Sequence, residues 1–405
     1  MLSRVGKVAL GVLPLVAIVG VTTLGQAEEA PPAARNLPGV ADRTSTATVR
    51  ASNSPAGAAF AMTNVAGRNR IIEYRRAADG RLTRVGSVWT RGSGIGVDLD
   101  TQGAVRLSED HRFLYATNAG SDTVSVFSVQ GTSLTFLQKV YAGDQPNSLT
   151  LHEDLLYVLD GSVAGNGILG FKVASNGTLT PLRGSFRELS SPIAVPGQVE
   201  FSPHGRLILV THKTTNVLLS PSNAIDVFRV WDSGLTSAVP KRRASHGLRP
   251  FSLAFRDDGK LVVAEAFNAA PGRSAVSSYQ VSSRGDLAVR SGSVRNFRTD
   301  TCWIVITDDG RYVFTANFGD GTISSYRFSE SGELRLIKRT AAFLGALSQP
   351  VDLALSDDSR YLYLLLRGTG GVAAFEIGYG GRLEPRGVVT GELPVADGAS
   401  GMDAY

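Results

Sequence analysis

The chain has 405 residues, among them 45 Gly, 17 Pro, 5 His and 1 Cys, and its 41 Lys+Arg outnumber its 36 Asp+Glu for a net charge of +5. One Cys excludes a disulfide scaffold and every Cys-based zinc or iron–sulfur site, and five His leave little room for a His-rich metal centre. Hydrophobic residues at 43% exclude global disorder, and a small, scattered Arg excess gives no case for a nucleic-acid partner.

The first residues read as an export signal. Arg4 and Lys7 precede an apolar stretch, residues 8–24, and Gly25-Gln26-Ala27 then offers small residues where a signal peptidase cuts. The stretch contains Pro14 and is marginal for spanning a bilayer, so residues 1–27 are expected to be cleaved, leaving no membrane contact. Residues 28–58, rich in Ala, Pro, Ser and Thr, read as a flexible leader. The expected location is secreted or periplasmic.

From residue 59 to residue 405 the chain repeats itself. Leu107-Ser-Glu-Asp-His-Arg-Phe-Leu-Tyr-Ala-Thr-Asn118 returns as Ile306-Thr-Asp-Asp-Gly-Arg-Tyr-Val-Phe-Thr-Ala-Asn317 and again from Leu355 to Leu366. Aligned second-strand ends fall at Asn64, Asn118, Asp160, His212, Ala266, Asn317 and Leu366, with steps of 42 to 54 residues. Each copy reads as an apolar strand, an Asp/Gly hairpin, an aromatic strand such as Phe113-Leu-Tyr-Ala-Thr, a third strand, a Gly turn and a fourth strand. Four strands at this period describe a propeller blade, and the glycine excess marks its turns. The length that suggests two or three domains is therefore one all-β, seven-bladed β-propeller of four-stranded antiparallel blades. The first copy lacks an innermost strand, and Ser400-Gly-Met-Asp-Ala-Tyr405 is left over at the other end, so this C-terminal strand is expected to close the ring.

The repeat Tyr115-Ala-Thr-Asn118 resembles the YVTN propeller repeat, and the stretch from about Ala59 to Tyr405 is similar to the lactonase family of seven-bladed propellers, which includes 6-phosphogluconolactonases and carboxy-muconate lactonizing enzymes. Within it an exported bacterial subgroup is resembled most, through Gly197-Gln-Val-Glu-Phe-Ser-Pro, Thr211-His-Lys-Thr-Thr-Asn216, Cys302-Trp-Ile-Val-Ile-Thr and Phe314-Thr-Ala-Asn-Phe-Gly. The resemblance implies lactone hydrolysis at one mouth of the central channel. Of the family's usual site residues only Gln198 is kept. Its His position holds Gly197, its Arg-His pair Phe251 and Ser252, its Glu Phe267, and its remaining Arg Val217.

The chemistry is therefore sought in other residues at that mouth, where first strands start and second strands end. His212 ends a second strand and is expected to be a general base, Lys213 an oxyanion or anion contact, and Glu265 a carboxylate one layer deeper that orients or balances charge. Asn118, Asp160, Gln198, His246, Arg249, Ser252, Trp303, Asn317 and Asp352 are expected to contact the ligand, a lactone or carbohydrate-derived small molecule. His111, His152 and His204 fall in hairpins at the opposite mouth, and Cys302 reads as a small buried hydrophobe. No cofactor is expected; a channel divalent cation would have to use Asp160, Asp352 and Glu265. The protein is expected to be a monomer. The competing reading is a non-catalytic ligand- or protein-binding propeller that has lost the family's chemistry.

Overall fold

A computed structural model describes residues 56–163, 165–214 and 223–405. Its strands form seven sheets in a ring. The first strands of blades 2 to 7 are Val105–Leu107, Pro146–His152, Val195–Phe201, Pro250–Phe255, Thr301–Ile306 and Pro350–Leu355. Blade 1 contains Gly57–Met62, Arg70–Arg76 and Leu82–Trp89, and its innermost strand is Met402–Ala404. That strand pairs antiparallel with Gly57–Met62, Ala404 opposite Ala59 and Met402 opposite Ala61. The C-terminal residues close the ring as the leftover repeat element implies. The leader is shorter than its expected end at residue 58, because Gly57 and Ala58 already pair with Arg76 and Arg75. The export segment and most of the leader lie outside the described residues. Every strand finds its partners between residues 57 and 404, so the ring is complete in itself.

The local chemistry of the repeat explains its blades. In four hairpins an Asp side chain caps a backbone amide two residues on: Arg81, Arg112, Arg311 and Arg360 donate to Asp79, Asp110, Asp309 and Asp358 at 3.0–3.2 Å. This is the short-range device that makes Asp a turn former. Second-strand tyrosines then tie blades 2, 3 and 7 to the next blade. Tyr115, Tyr157 and Tyr363 hydroxyls donate to the carbonyls of Gly177, Gly234 and Gly80. Gly80 and Gly177 both have φ +81, and a Cβ on either would meet the ring of Tyr361 at 2.1 Å or of Phe113 at 2.2 Å. Glycine is therefore required there twice over, by backbone conformation and by ring packing.

Buried side chains between neighbouring sheets make the core, with Trp303, Tyr74, Tyr115, Tyr157, Tyr279, Tyr326 and Tyr363 its largest members. Strand side chains thus point at adjacent blades; only the inner edges and the connectors border the channel. Removing residues 397–405 is expected to open the ring. The burial of Met402 alone is worth about 2 kcal/mol, so the urea midpoint of the truncated chain should fall by at least that equivalent. An unchanged midpoint would refute closure.

Candidate functional site

The structure separates the expected triplet. His212 and Lys213 are successive strand residues and so point to opposite faces. His212 Nε2 lies 3.0 Å from Asp226 Oδ2 in the wall between blades 3 and 4, and both side chains are fully buried. Burial pushes the Asp226 carboxyl up, but the His212 hydrogen bond and charge and the Ser190 contact outweigh it and hold the group below its ordinary range. Glu265 is also enclosed. It accepts from the Gly247 amide at 2.8 Å, Ser277 Oγ at 2.5 Å and Ser293 Oγ at 2.7 Å, and burial raises it despite these bonds. The exposed His246 reaches the same group, because its Nδ1 is 2.8 Å from Ser293 Oγ.

Several other expected contacts are joints of the scaffold. Asn118 accepts from Thr90 Oγ1 and Asn69 Nδ2 and donates to Ser125 and Thr123. Asn317 repeats this arrangement with Thr301, Asn296, Ser324 and Thr322. Asp160 accepts the amides of Asp144 and Ser162. Gln198, Ser252 and Asp352 link inner strands of adjacent blades: Gln198 accepts the Leu253 amide at 2.9 Å, Ser252 donates to the Cys302 carbonyl, and Asp352 accepts the Gly401 amide at 2.8 Å. Asp160, Glu265 and Asp352 do not converge on one point, and the described residues hold no group of three metal-ligating side chains.

What lies at the mouth is a connector. Residues 90–104 join blade 1 to blade 2 and cross the channel. Gln102 exchanges two hydrogen bonds with the backbone of Ile304 on the far side, at 2.9 and 3.0 Å. Trp303 Nε1 donates to the Thr101 carbonyl at 3.0 Å, and Ser148 Oγ donates to that of Gln102 at 2.6 Å. The connector brings Asp98 and Asp100 against three cations. Lys213 Nζ lies 2.7 Å from Asp100 Oδ2 and 5.0 Å from the centre of the Phe251 ring. Arg249 Nη2 is 3.5 Å from the same carboxylate, and Arg367 pairs with Asp98. Asp300 joins the group beside Cys302, whose Sγ is 3.3 Å from Asp300 Oδ1.

The electrostatics of this cluster differ from those of the exposed carboxylates. Burial, then the charge of Asp100, pushes Asp98 up, while Arg367 opposes. Burial pushes Asp300 up, Arg249 pulls it down, and Asp100 adds to the rise. Cys302 is driven well above the ordinary thiol value by burial and by Asp300, so it is a thiol and not a nucleophilic thiolate. Arg249 is the least satisfied cation: its Asp100 and Asn268 contacts are long, at 3.5 and 3.4 Å, and its buried Nε has no partner. Arg249, Asp300 and Gln349 each precede an inner strand with φ of 54, 57 and 46°, a conformation glycine favours. Three long polar side chains held in left-handed backbone at equivalent mouth positions are a strain signature of functional loops.

The family described as lactonase, 7-bladed beta-propeller, matches residues 57–196 and 208–350. The chain belongs to the lactonase family. Among curated proteins none matches this lactonase propeller in sequence. Among solved structures it is similar to the periplasmic gluconolactonase of Pseudomonas aeruginosa, at 16% identity and a TM-score of 0.65, over 86% of this chain and 99% of that one. It is also similar to a protein from Lactobacillus plantarum, at 17% identity and TM-score 0.65, over 87% and 100% of the two chains. A proposed 6-phosphogluconolactonase from Bacteroides uniformis superposes at TM-score 0.66 with 15% identity, over 86% and 99%. At these identities the likeness is one of fold.

Sequence reading picked out Lys213 and Arg249 but not Asp98, Asp100, Asp300, Arg367 or Gln102. One signal was present: the connector 90–104 is long for a blade junction, and long ordered loops are commonly functional. A second charged group sits at the channel's other end, where a groove of about 900 Å³ includes Arg106, Glu200 and Asp403. Arg106 Nη2 is 2.6 Å from Glu200 Oε2, and nearby Asp352 is raised by burial to about 6, against the amides of Gly401 and Gly103 and the charge of Arg106. A raised carboxyl favours the folded state while protonated, and that contribution is lost as pH climbs from the ordinary range, about 4, through about 6. Asp352→Asn should therefore flatten the urea-midpoint profile over that window. Above that window the two profiles should run parallel, and an unaltered profile would refute the assignment.

Proposed function

We propose that this chain hydrolyses a lactone or related cyclic ester at the connector-lined mouth, outside the cell membrane, in the periplasm or as a secreted protein. The observation that carries the reading is Arg249: a half-buried guanidinium with donors to spare, near Asp300, a carboxylate that burial pushes above its ordinary range. In this assignment Arg249, with Lys213 behind it, receives the lactone carbonyl oxygen and stabilises the oxyanion formed on attack. Asp300 takes the proton from the attacking water. The ring C–O bond then breaks, and that proton passes to the leaving alkoxide, giving the open hydroxy acid. Asp98 and Asp100 hold the cations in place, and Trp303, Phe251 and Phe318 supply an apolar wall, their ring centres 4.9 and 6.1 Å apart in sequence around Trp303. His212 and Glu265 support the walls from within blades 4 and 5.

A panel of aldono- and alkyl-lactones assayed by proton release tests this. Arg249→Ala is expected to lower kcat/KM by about 100-fold. Asp300→Asn should lower it by about 100-fold or more and remove the acidic limb of the pH–rate profile, since a general base works only when ionised. Both variants should keep the parent's unfolding midpoint within a few degrees. Full activity in both would refute the site. No activity on any lactone in the parent, with a ligand or protein retained by the same mouth, would establish the binding-propeller alternative instead.

A further inference from the structure

Arginines that are scattered in the sequence divide into two populations in the fold. On the hairpin face they are neutralised where they stand: Arg81 by Asp79, Arg112 by Asp110, Arg206 by Asp232, Arg311 by Asp309 and Arg360 by Glu376. At the mouth-side rim of blades 5 and 6 they are not. Arg273, Arg295, Arg298 and Arg339 have no ion pair to any described carboxylate. The Arg295 and Arg339 guanidinium carbons lie 5.1 and 4.8 Å from the centre of the Phe297 ring. Arg298 Nε donates to the Arg339 carbonyl at 3.2 Å, and Arg295 Nη2 donates to that of Gly272, beside Arg273, at 2.7 Å. Asp320, in the neighbouring hairpin of blade 6, accepts the Thr299 amide at 2.5 Å.

Apolar side chains protrude from the same rim. Phe297 is 46% exposed, Phe343 at the end of blade 6's outer strand 68%, and Leu347 in the following connector 81%. Phe297 sits at φ 60, a conformation a bulky aromatic adopts at a cost, so the backbone is held where it presents the ring outward. Cations without a carboxylate partner and protruding apolar side chains on one rim have complementary needs. The guanidinium forks match phosphate oxygens, and the rings gain from leaving water beside them.

We propose that the blade 5–6 rim docks the propeller on an anionic lipid surface, the guanidinium groups on headgroup phosphates and Phe297, Phe343 and Leu347 at the headgroup–acyl boundary. Among the described residues no helix is long and apolar enough to cross a membrane. The rim lies outside the charged mouth, and docking through it is independent of whether the mouth hydrolyses lactones.

The test is co-sedimentation of the self-contained ring, residues 52–405, with vesicles of phosphatidylglycerol or of phosphatidylcholine. Binding to phosphatidylglycerol, weak binding to phosphatidylcholine and release by high salt are expected. The Arg295→Glu/Arg339→Glu variant should bind phosphatidylglycerol vesicles at least about 30-fold less, from about 1 kcal/mol for each cation removed. Phe297→Ser/Phe343→Ser should weaken vesicle binding while leaving retention on a heparin column unchanged. Thermal unfolding and lactone hydrolysis of both variants should match the parent. Absence of binding to phosphatidylglycerol vesicles, equal binding to both lipids, or binding untouched by the charge reversals would overturn the proposal. Retention on heparin without vesicle binding would overturn it in favour of an anionic polysaccharide.

Discussion

A ring of sheets leaves each inner strand with one edge that no neighbouring strand can pair, and the fold depends on how those edge amides are satisfied. Here side chains do it. Asp403 accepts the Leu107 amide, Asp352 that of Gly401, Gln198 that of Leu253, Ser148 that of Val199, Thr150 that of Phe201 and Gln102 that of Ile304. An unpaired buried amide costs as much as a lost hydrogen bond, so polar residues on inner strands are required whether or not they meet a ligand. This belt is why Gln198, Ser252 and Asp352, which look like channel ligands in the sequence, are occupied by neighbouring blades.

The same constraint shapes the mouth. Because Gln102 spans the channel to complete the belt at blade 6, the connector that carries it must lie across the opening. That draws Asp98 and Asp100 into contact with Lys213, Arg249 and Arg367, and a scaffold requirement thereby assembles a compact set of opposed charges in a half-buried place. Carboxylates there feel both desolvation and one another, which separates their protonation behaviour from that of the hairpin aspartates only a blade's length away. The hairpin Asp110 is pulled down to about 2 by Ser108 and Arg112, with burial opposing, whereas Asp98 and Asp300 are pushed up. One residue type serves as turn former at one end of the molecule and as candidate acid or base at the other.

Most of the fold was legible in the residues because it is local. The Asp-x-Arg hairpins, the alternating aromatic strands and the Gly turns each act over a few positions, and their repetition counts the blades. Ring closure was legible by elimination, since one strand was missing at one end and one was spare at the other. The site was legible only in part. Lys213 and Arg249 were found because they flank strand ends. Glu265 and His246 were found separately but not as a pair, since Ser293, which joins them, comes from a fourth strand. His212 was placed at the mouth by its position in the repeat, yet its face turns it to Asp226, and which face a strand residue takes at a blade's end depends on a neighbour supplied by another strand.

Composition and periodicity by themselves determined the all-β class, the seven blades and the role of the glycine excess, because turns and strand alternation are written within a few residues. Tertiary structure decided which polar groups are belt and which are mouth, that Asp98, Asp100 and Asp300 share one cluster, and that four arginines from two blades stand on one rim without a carboxylate partner. Those outcomes depend on contacts between residues far apart in the chain, such as Gln102 with Ile304, 202 positions away, and Leu107 with Asp403, 296 away. Burial, charge neighbours and hydrogen-bond supply are set by such contacts, and they govern the chemistry of the side chains.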